Sequence, residues 1–325
     1  MSEGRASRHL VDPELARWID LLALPDLSLD TLPAFRQKLD SGIVPAASIE
    51  GTNLRLVTVP GLPGSPDVAA VVIRPTAATG PLPCVLHFHG GAFVAGRARA
   101  DEAAHRALVQ SLACLWVSVD YRLAPETPFP GALDDGQAVL DWLFSNAAAL
   151  DIDVRRIGLV GESAGGGLAA CLALRLRDSD GPRLAFQHLT YPMLDDRTGS
   201  AVPPHPYAGE FVWTARNNAF AWSAWLGRPA GSAGVSAYAA AARAQDLSGL
   251  PPTFMATGAL DLFLEENLDF ARRLLCAGVA TELHVYPGAF HGFDLDPCAT
   301  VSLGARRHRR EALRRALHPG GQGRA

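Results

Sequence analysis

Short apolar runs alternate with longer helix-forming runs along most of this 325-residue chain. Several apolar runs are continuous, such as Ile157-Gly158-Leu159-Val160, which is typical of strands buried on both faces. Such alternation predicts an α/β fold with a mostly parallel eight-stranded sheet and helices on both faces. The predicted strands are 53–59, 69–74, 84–89, 115–120, 156–161, 185–190, 253–257 and 282–286. The predicted helices lie near 101–113, 132–149, 164–177, 264–277 and 300–317.

Three stretches depart from the alternation. A Pro/Gly turn at 61–66 joins the first two strands and predicts an antiparallel hairpin at the sheet edge. Residues 1–45 are predicted to be helical, with one helix opening at Pro13, and residues 196–230 contain a Pro-rich loop and an aromatic helix. We expect the last two to form a helical cap. The predicted units are N-terminal cap helices (1–45), a first core part (46–195), a cap insertion (196–230) and a second core part (231–325).

Composition and charge exclude several classes of protein. Apolar residues make up 48% of the chain and charged residues 19%, so the chain is neither disordered nor fibrous. The net charge of −4 provides no field that would attract nucleic acid or an anionic membrane. The arginines between 306 and 315 are expected to form a solvated helix face, because no aromatic residues are interleaved for base stacking.

Targeting and cysteine patterns predict the compartment. The five cysteines are widely spaced and show no metal-ligand spacing, which favours free thiols in a reducing environment. No secretory signal is visible at the start, and no apolar window of transmembrane length occurs. We therefore expect a cytoplasmic protein with no stable membrane anchoring.

The first motif with chemical meaning is Gly161-Glu162-Ser163-Ala164-Gly165, which follows an apolar strand and precedes a helix-forming run. In this setting the glycines allow a sharp strand-to-helix turn that presents the serine hydroxyl above the sheet. A dinucleotide-binding fingerprint is the competing interpretation, since Gly165, Gly167 and Ala170 fit its spacing. That fingerprint should begin where the strand ends, and no acidic residue closes a strand about 20 positions later. A nucleophilic serine is the better interpretation.

A serine hydroxyl needs a base, and the base needs an orienting acid. In this architecture the order along the chain should be Ser, then Asp or Glu, then His, at the ends of successive strands. Asp261 and His291 occupy those positions. Weaker candidates for the acid and base are Asp195, Asp196, Glu265, Glu266 and His284.

The third requirement is a set of backbone donors for the oxyanion. His89-Gly90-Gly91-Ala92-Phe93 follows a predicted strand, and its glycines allow N–H groups to turn inward. The N–H groups of Gly91, Ala92 and Ala164 are the candidate donors. His87 and His89 also have the spacing of a zinc pair, but no third ligand follows, so we expect neither a metal nor a cofactor.

From His87 to Phe293 the sequence resembles the hormone-sensitive-lipase-like branch of the α/β-hydrolases, the bacterial family IV carboxylesterases. The segment 89–93 is similar to the HGGG oxyanion motif of that family, and 161–166 to its G-[DE]-S-A-G-G elbow. Three further segments are similar to its DYRLAPE turn (120–126), its D-P-L-x-D-E segment (261–266) and its HGF (291–293). Departures are Ala92 at the third glycine, and Leu262 and Phe263 in place of Pro and Leu.

This resemblance implies an α/β-hydrolase fold and a serine carboxylesterase acting on short- to medium-chain acyl esters, with Arg122 and Glu126 as structural supports. Phe93, Phe211, Trp213 and Phe293 are candidate substrate-binding residues. The expected partner is a small-molecule ester, and a homodimer is the candidate assembly. Alternatives are an amidase or deacetylase acting on a natural product or xenobiotic, and a non-catalytic ligand receptor on the same fold.

Overall fold

The computed structural model describes residues 6–41 and 50–320, and its centre is one sheet of eight strands. The strands are β1 (Thr52–Val59), β2 (Val68–Pro75), β3 (Leu82–Phe88), β4 (Leu115–Asp120), β5 (Ile152–Glu162), β6 (Gln187–Thr190), β7 (Thr253–Gly258) and β8 (Thr281–Tyr286). Their spatial order is β1-β2-β4-β3-β5-β6-β7-β8. Strands β1 and β2 form the antiparallel edge hairpin, β2 is antiparallel to β4, and all other pairs are parallel. The predicted mostly parallel eight-stranded sheet is confirmed.

Nine α-helices occur in the described part of the chain. They are α1 (Trp18–Leu21), α2 (Leu32–Ser41), α3 (Glu102–Leu112), α4 (Gly131–Ser145), α5 (Ala147–Leu150), α6 (Ala164–Asp178), α7 (Ala215–Leu226), α8 (Leu264–Cys276) and α9 (Thr300–Leu317). The one helix predicted near 132–149 is divided into α4 and α5. The aromatic helix predicted within 196–230 is α7.

Helices cover both faces of the sheet, as the alternation predicts. Apolar residues of α4, α6 and α8 pack with one set of strand side chains, among them Leu86, Val117 and Leu159. The opposite set, which includes Val85 and Val160, packs against α3 and α9. Successive side chains of a strand point to opposite faces, so every central strand contributes to both layers.

The N-terminal segment is less helical than the sequence predicts. Residues 13–17 form turns, and the first α-helix begins at Trp18. Hydrogen bonds from the N–H groups of Leu15 and Trp18 each span three residues, so the segment forms successive turns and no regular α-helix. Leu15 and Ile19 are buried, whereas Leu21 is exposed. Residues 1–5 and 42–45 of the predicted unit lie outside the described residues.

Because β3, β5, β7 and β8 run parallel, their carboxyl ends lie on the same side of the sheet. The segment 89–93 follows β3, Ser163 follows β5, Asp261 follows β7 and His291 follows β8. Crevices at the carboxyl ends of parallel strands are where ligands bind in open α/β sheets. The fold therefore brings all the candidate motifs to one place.

Candidate active site

Ser163 sits in a sharp turn between β5 and α6, with φ 55° and ψ −121°. A non-glycine residue in this region is strained, and such strain is concentrated at functional sites. The flanking glycines permit the turn. A Cβ on Gly161 would lie 2.2 Å from the Gly165 carbonyl oxygen, and a Cβ on Gly165 would lie 2.0 Å from the Phe88 carbonyl oxygen. No other residue type fits either position without moving the backbone.

Three side chains meet in a hydrogen-bonded row. The Nε2 atom of His291 lies 3.0 Å from the Ser163 Oγ, and its Nδ1 atom lies 2.9 Å from Asp261 Oδ2. The other carboxylate oxygen of Asp261 accepts the Phe263 N–H at 3.0 Å. Because a carboxylate is an acceptor, Nδ1 of the neutral ring carries the proton and Nε2 is left to accept the serine hydroxyl.

The competing acidic residues are engaged elsewhere. Glu266 accepts the N–H of Leu194 at 2.6 Å and thereby fixes the loop after β6. Asp196 pairs with Arg243 at 2.7 Å, and Asp195 pairs with Arg197 at 2.7 Å. The structure brings Asp261, and none of these three, to His291.

Each candidate oxyanion N–H belongs to a peptide unit whose carbonyl oxygen accepts a hydrogen bond from elsewhere in the protein. In a trans peptide the C=O and the following N–H point in opposite directions, so fixing the carbonyl aims the N–H. The Ser163 carbonyl accepts from Gly167 at 3.1 Å and from Met193 at 2.9 Å, which aims the Ala164 N–H. The Gly91 carbonyl accepts from two later N–H groups of its own loop at 3.0 and 2.9 Å, which aims the Ala92 N–H.

The third donor is aimed by a histidine side chain. His89 Nδ1 lies 2.7 Å from the carbonyl of Gly90, and that peptide unit carries the Gly91 N–H. The ring stacks on Tyr121, with centroids 4.1 Å apart. Burial lowers the pKa of His89 to about 4, so the ring is neutral at pH 7 and its Nδ1 donates to the carbonyl. His89 therefore orients a candidate donor.

The oxyanion loop is conformationally strained. Gly91, Ala92 and Phe93 have φ values of 124°, 58° and 63°, so three consecutive residues lie in the left-handed region. This conformation costs roughly 1–3 kcal/mol for each non-glycine residue and persists only where neighbouring contacts impose it. Ala92, which stands at the third glycine of the HGGG motif, keeps its N–H donor but adopts this strained conformation.

A buried charged layer lies directly behind the nucleophile. Glu162 pairs with Arg309 of α9 and with His87 Nε2 at 2.8 Å. Burial would raise the pKa of Glu162, but Arg309 and His87 outweigh it and hold that pKa below the ordinary range. The prediction of a solvated arginine face is wrong at Arg309, because α9 places it one turn after the buried Ala305.

His188 of β6 belongs to the same layer and gives a testable pH effect. Within residues 6–41 and 50–320, neither of its ring nitrogens has a hydrogen-bond partner, and burial holds its pKa well below the ordinary value. Below pH ~6.5 the unfolded chain therefore binds a proton that the folded chain does not. The free energy of unfolding consequently decreases as the pH is lowered. We expect His188→Leu to raise the free energy of unfolding more at pH 5 than at pH 8, by up to about 2 kcal/mol. Urea denaturation at the two pH values measures this, and an equal effect at both would contradict it.

The four candidate substrate-binding aromatic residues are all buried. Among the ring contacts that these four make with described residues, only that of Trp213 involves a triad residue, and its ring lies 6.3 Å from that of His291. Phe93 stacks on Trp225 at 4.7 Å. Phe211 and Phe293 pack against Phe290 and Tyr286, at 5.9 and 5.3 Å. Tyr191, whose ring lies 4.7 Å from that of His291, belongs to no motif that the sequence offers.

The two predicted cap segments contact each other. Asn217 of α7 accepts the N–H of Leu27 at 2.8 Å and donates to the carbonyl of Pro25 at 3.1 Å. Glu210 accepts the N–H of Ser7 at 2.9 Å. Hydrogen bonds at two places therefore join the N-terminal segment to the insertion that contains Trp213.

Comparisons with known proteins agree with this architecture. A family model described as an alpha/beta hydrolase fold matches residues 85–295. Carboxylesterase NlhH of Mycobacterium tuberculosis is 32% identical over 324 residues, which cover 98% of this chain and 100% of NlhH. The solved structure of a bacterial heroin esterase has a TM-score of 0.90 and 38% identity, covering 96% of this chain and 100% of that one. Esterase LipW of Mycobacterium marinum has a TM-score of 0.83 and 33% identity, covering 97% and 98%.

The sheet order and the family match place the protein among the α/β-hydrolases, as the sequence predicts. Within them, the chain belongs to the hormone-sensitive-lipase-like family and is a carboxylic ester hydrolase. None of the helices in the described part of the chain is long and apolar enough to cross a membrane.

Proposed function

We propose that this carboxylesterase hydrolyses short- to medium-chain acyl esters through a Ser163–His291–Asp261 triad and an acyl-enzyme intermediate. The observation that carries the proposal is the row of contacts from Ser163 through His291 to Asp261, at 3.0 and 2.9 Å. Both distances lie within hydrogen-bond reach, which a nucleophile and its base require.

The reaction follows from these positions. Ser163 Oγ attacks the ester carbonyl while His291 Nε2 takes the hydroxyl proton, and Asp261 stabilises the resulting imidazolium. The carbonyl oxygen becomes an oxyanion that accepts from the N–H groups of Gly91, Ala92 and Ala164. His291 returns the proton to the departing alkoxide, and a water molecule then repeats the two steps on the acyl-enzyme.

The cap and its aromatic residues would define the acyl site. Trp213 lies next to His291 and belongs to the insertion that contacts the N-terminal segment. Each methylene of the acyl chain that is buried contributes about 0.8 kcal/mol to binding. The length of acyl chain that these apolar side chains can cover therefore determines the chain-length preference. A cytoplasmic location and a homodimer remain predictions, and the proposed chemistry uses no cofactor.

An amidase or deacetylase is the second candidate, and it differs in the leaving group. An amine must be protonated as it leaves, whereas an alkoxide leaves with less help, so the ester is the better substrate for this triad. The similarity to a bacterial heroin esterase also favours an ester. The non-catalytic receptor is disfavoured because the base lies within 3.0 Å of the serine.

Labelling with a fluorophosphonate tests whether Ser163 is activated. We expect stoichiometric labelling, with peptide mapping placing the adduct on Ser163, because the reagent reacts with serines that a base has activated. His291→Ala should slow the labelling by orders of magnitude. An unlabelled native protein would support the receptor and contradict the triad.

A substrate panel tests the substrate class. We expect kcat/KM for p-nitrophenyl esters to be highest between acetate and hexanoate and to fall for longer acyl chains. The matched control is p-nitroacetanilide, the amide counterpart of the acetate ester, which should be hydrolysed at least about 100-fold more slowly. Equal rates on the ester and the amide would favour the amidase.

A further inference from the structure

Arg36 of α2 joins three parts of the molecule through one guanidinium group. Its Nε–H donates to the carbonyl of Val94 at 2.7 Å, and one terminal nitrogen donates to the carbonyl of Ala124 at 2.9 Å. Two further contacts of 2.7 Å reach the carboxylate of Glu126. Val94 belongs to the oxyanion loop, whereas Ala124 and Glu126 belong to the loop after β4.

The contact with Val94 connects to a candidate oxyanion donor through one peptide unit. The Val94 carbonyl shares its peptide plane with the N–H of Ala95, and that N–H donates to the Gly91 carbonyl at 2.9 Å. The Gly91 carbonyl in turn shares a plane with the Ala92 N–H. Arg36, the Val94–Ala95 peptide and the Gly91–Ala92 peptide therefore form a chain that ends on the donor.

A second route runs in parallel through the loop after β4. The Ala124 N–H donates to the carbonyl of Phe93 at 2.9 Å, and the Phe93–Val94 peptide presents the Val94 N–H to Gly91 at 3.0 Å. Arg36 holds the other side of Ala124 through that residue's carbonyl. Both N–H groups that bind Gly91 thus come from peptides held by Arg36 or by Ala124.

We propose that Arg36 is a positioning residue, whose guanidinium ties the oxyanion loop to α2 and keeps the Ala92 N–H directed at the developing oxyanion. This inference rests on the oxyanion hole proposed above. The loop requires such support because Gly91, Ala92 and Phe93 all have positive φ values, a conformation that persists only when surrounding contacts impose it.

The geometry of guanidinium explains why an arginine occupies this position. Its planar fork can serve two carbonyls and a carboxylate at the same time, which a lysine ammonium cannot match. The ion pair by itself contributes little, since 62% of the Glu126 side chain is exposed to solvent. The effect on the reaction is therefore carried by the carbonyl contacts.

The first test compares Arg36→Ala with Arg177→Ala. Arg177 is a matched control because it also donates to two backbone carbonyls, those of Asp246 and Ser248, and pairs with Asp178, at the far end of α6. Arg36→Ala should lower kcat by roughly 10- to 100-fold with KM almost unchanged. The displaced donor stabilises the oxyanion of the transition state and contributes little to binding of the substrate. The affinity of Arg36→Ala for a trifluoromethyl ketone, which forms a tetrahedral adduct, should fall by a similar factor. Arg177→Ala should change neither quantity.

Three further measurements separate positioning from charge and from folding. Arg36→Lys should lose most of the kcat that Arg36→Ala loses, whereas Glu126→Gln, which keeps both carbonyl contacts, should retain most of its kcat. Methylguanidine should partly restore kcat to Arg36→Ala, because the side chain borders a surface cavity of about 340 Å³. Full kcat in Arg36→Lys, or a loss confined to KM, would overturn the positioning role. Fluorophosphonate labelling of the native Ser163 is a separate result, and its failure would overturn the triad.

Discussion

Ser163→Ala should lower kcat for p-nitrophenyl acetate by about 10⁴- to 10⁶-fold, because the attacking oxygen is removed and no other nucleophile takes its place. The remaining rate comes from water and from the oxyanion donors, which the substitution leaves unchanged. Ser163 is 8% exposed and its Oγ contacts His291, so alanine removes a single polar atom from a preformed site. Steady-state kinetics on the purified variant measure the loss, with native enzyme of titrated active-site concentration as the reference.

The control for this experiment is a serine on an exposed helix face. Ser111 of α3 donates its hydroxyl to the Leu108 carbonyl within the same helix, and Ser111→Ala should keep the native kcat. Circular dichroism should show that both variants are folded. A Ser163→Ala protein that retains more than about 1% of native turnover would contradict the triad, since no residual catalysis by binding alone reaches that level.

The parallel arrangement explains how far the sequence predicts this site. Glycine-flanked motifs at the ends of β3 and β5, and the acid and base after β7 and β8, each occur at a carboxyl strand end. In a parallel sheet those ends share one edge, so strand prediction alone brings the motifs together. Chain order alone admits all the competing carboxylates, but the position directly after β7 favours Asp261, and the structure brings Asp261 to His291.

The supporting residues could not be predicted in the same way. Arg36 and Arg309 occur in polar stretches of their helices, where a solvated side chain is the ordinary expectation. Their partners, Val94 and Glu162, are distant in sequence, and only the packing of α2 and α9 brings them close. Helix periodicity places Arg309 on the inward face, but it does not identify the carboxylate that receives it.

The N-terminal segment differs from the prediction for a related reason. The apolar side chains of Leu15 and Ile19 in this segment are buried, although residues 13–17 are not helical. Turns achieve the same burial once the backbone is held by other groups, such as the Gly288 carbonyl that accepts the Asp12 N–H at 3.0 Å. Tertiary contacts therefore decide between turn and helix over these few residues.

Two glycines in helices should respond to alanine in opposite directions. An interior helical glycine replaced by alanine ordinarily stabilises a protein, by roughly 0.5–1 kcal/mol. Gly304 of α9 should follow this rule, because a Cβ built there meets no atom within 4 Å. Gly165 of α6 should not, because its Cβ would lie 2.0 Å from the Phe88 carbonyl oxygen and 2.5 Å from that of His89. Since both contacts are with backbone, no rotation of a side chain relieves them.

We expect Gly165→Ala to lower the free energy of unfolding by about 3 kcal/mol or more, and also to reduce kcat strongly. The displaced carbonyls belong to the end of β3 and to the start of the oxyanion loop, so relief of the clash moves the donors relative to Ser163. Urea denaturation of both variants, together with kcat on one p-nitrophenyl ester, gives the comparison. If Gly165→Ala were as stable and active as Gly304→Ala, the close packing of the elbow against β3 would be wrong. Position 165 would then tolerate a side chain, and neither the turn at Ser163 nor the approach of α6 to the sheet would require glycine there.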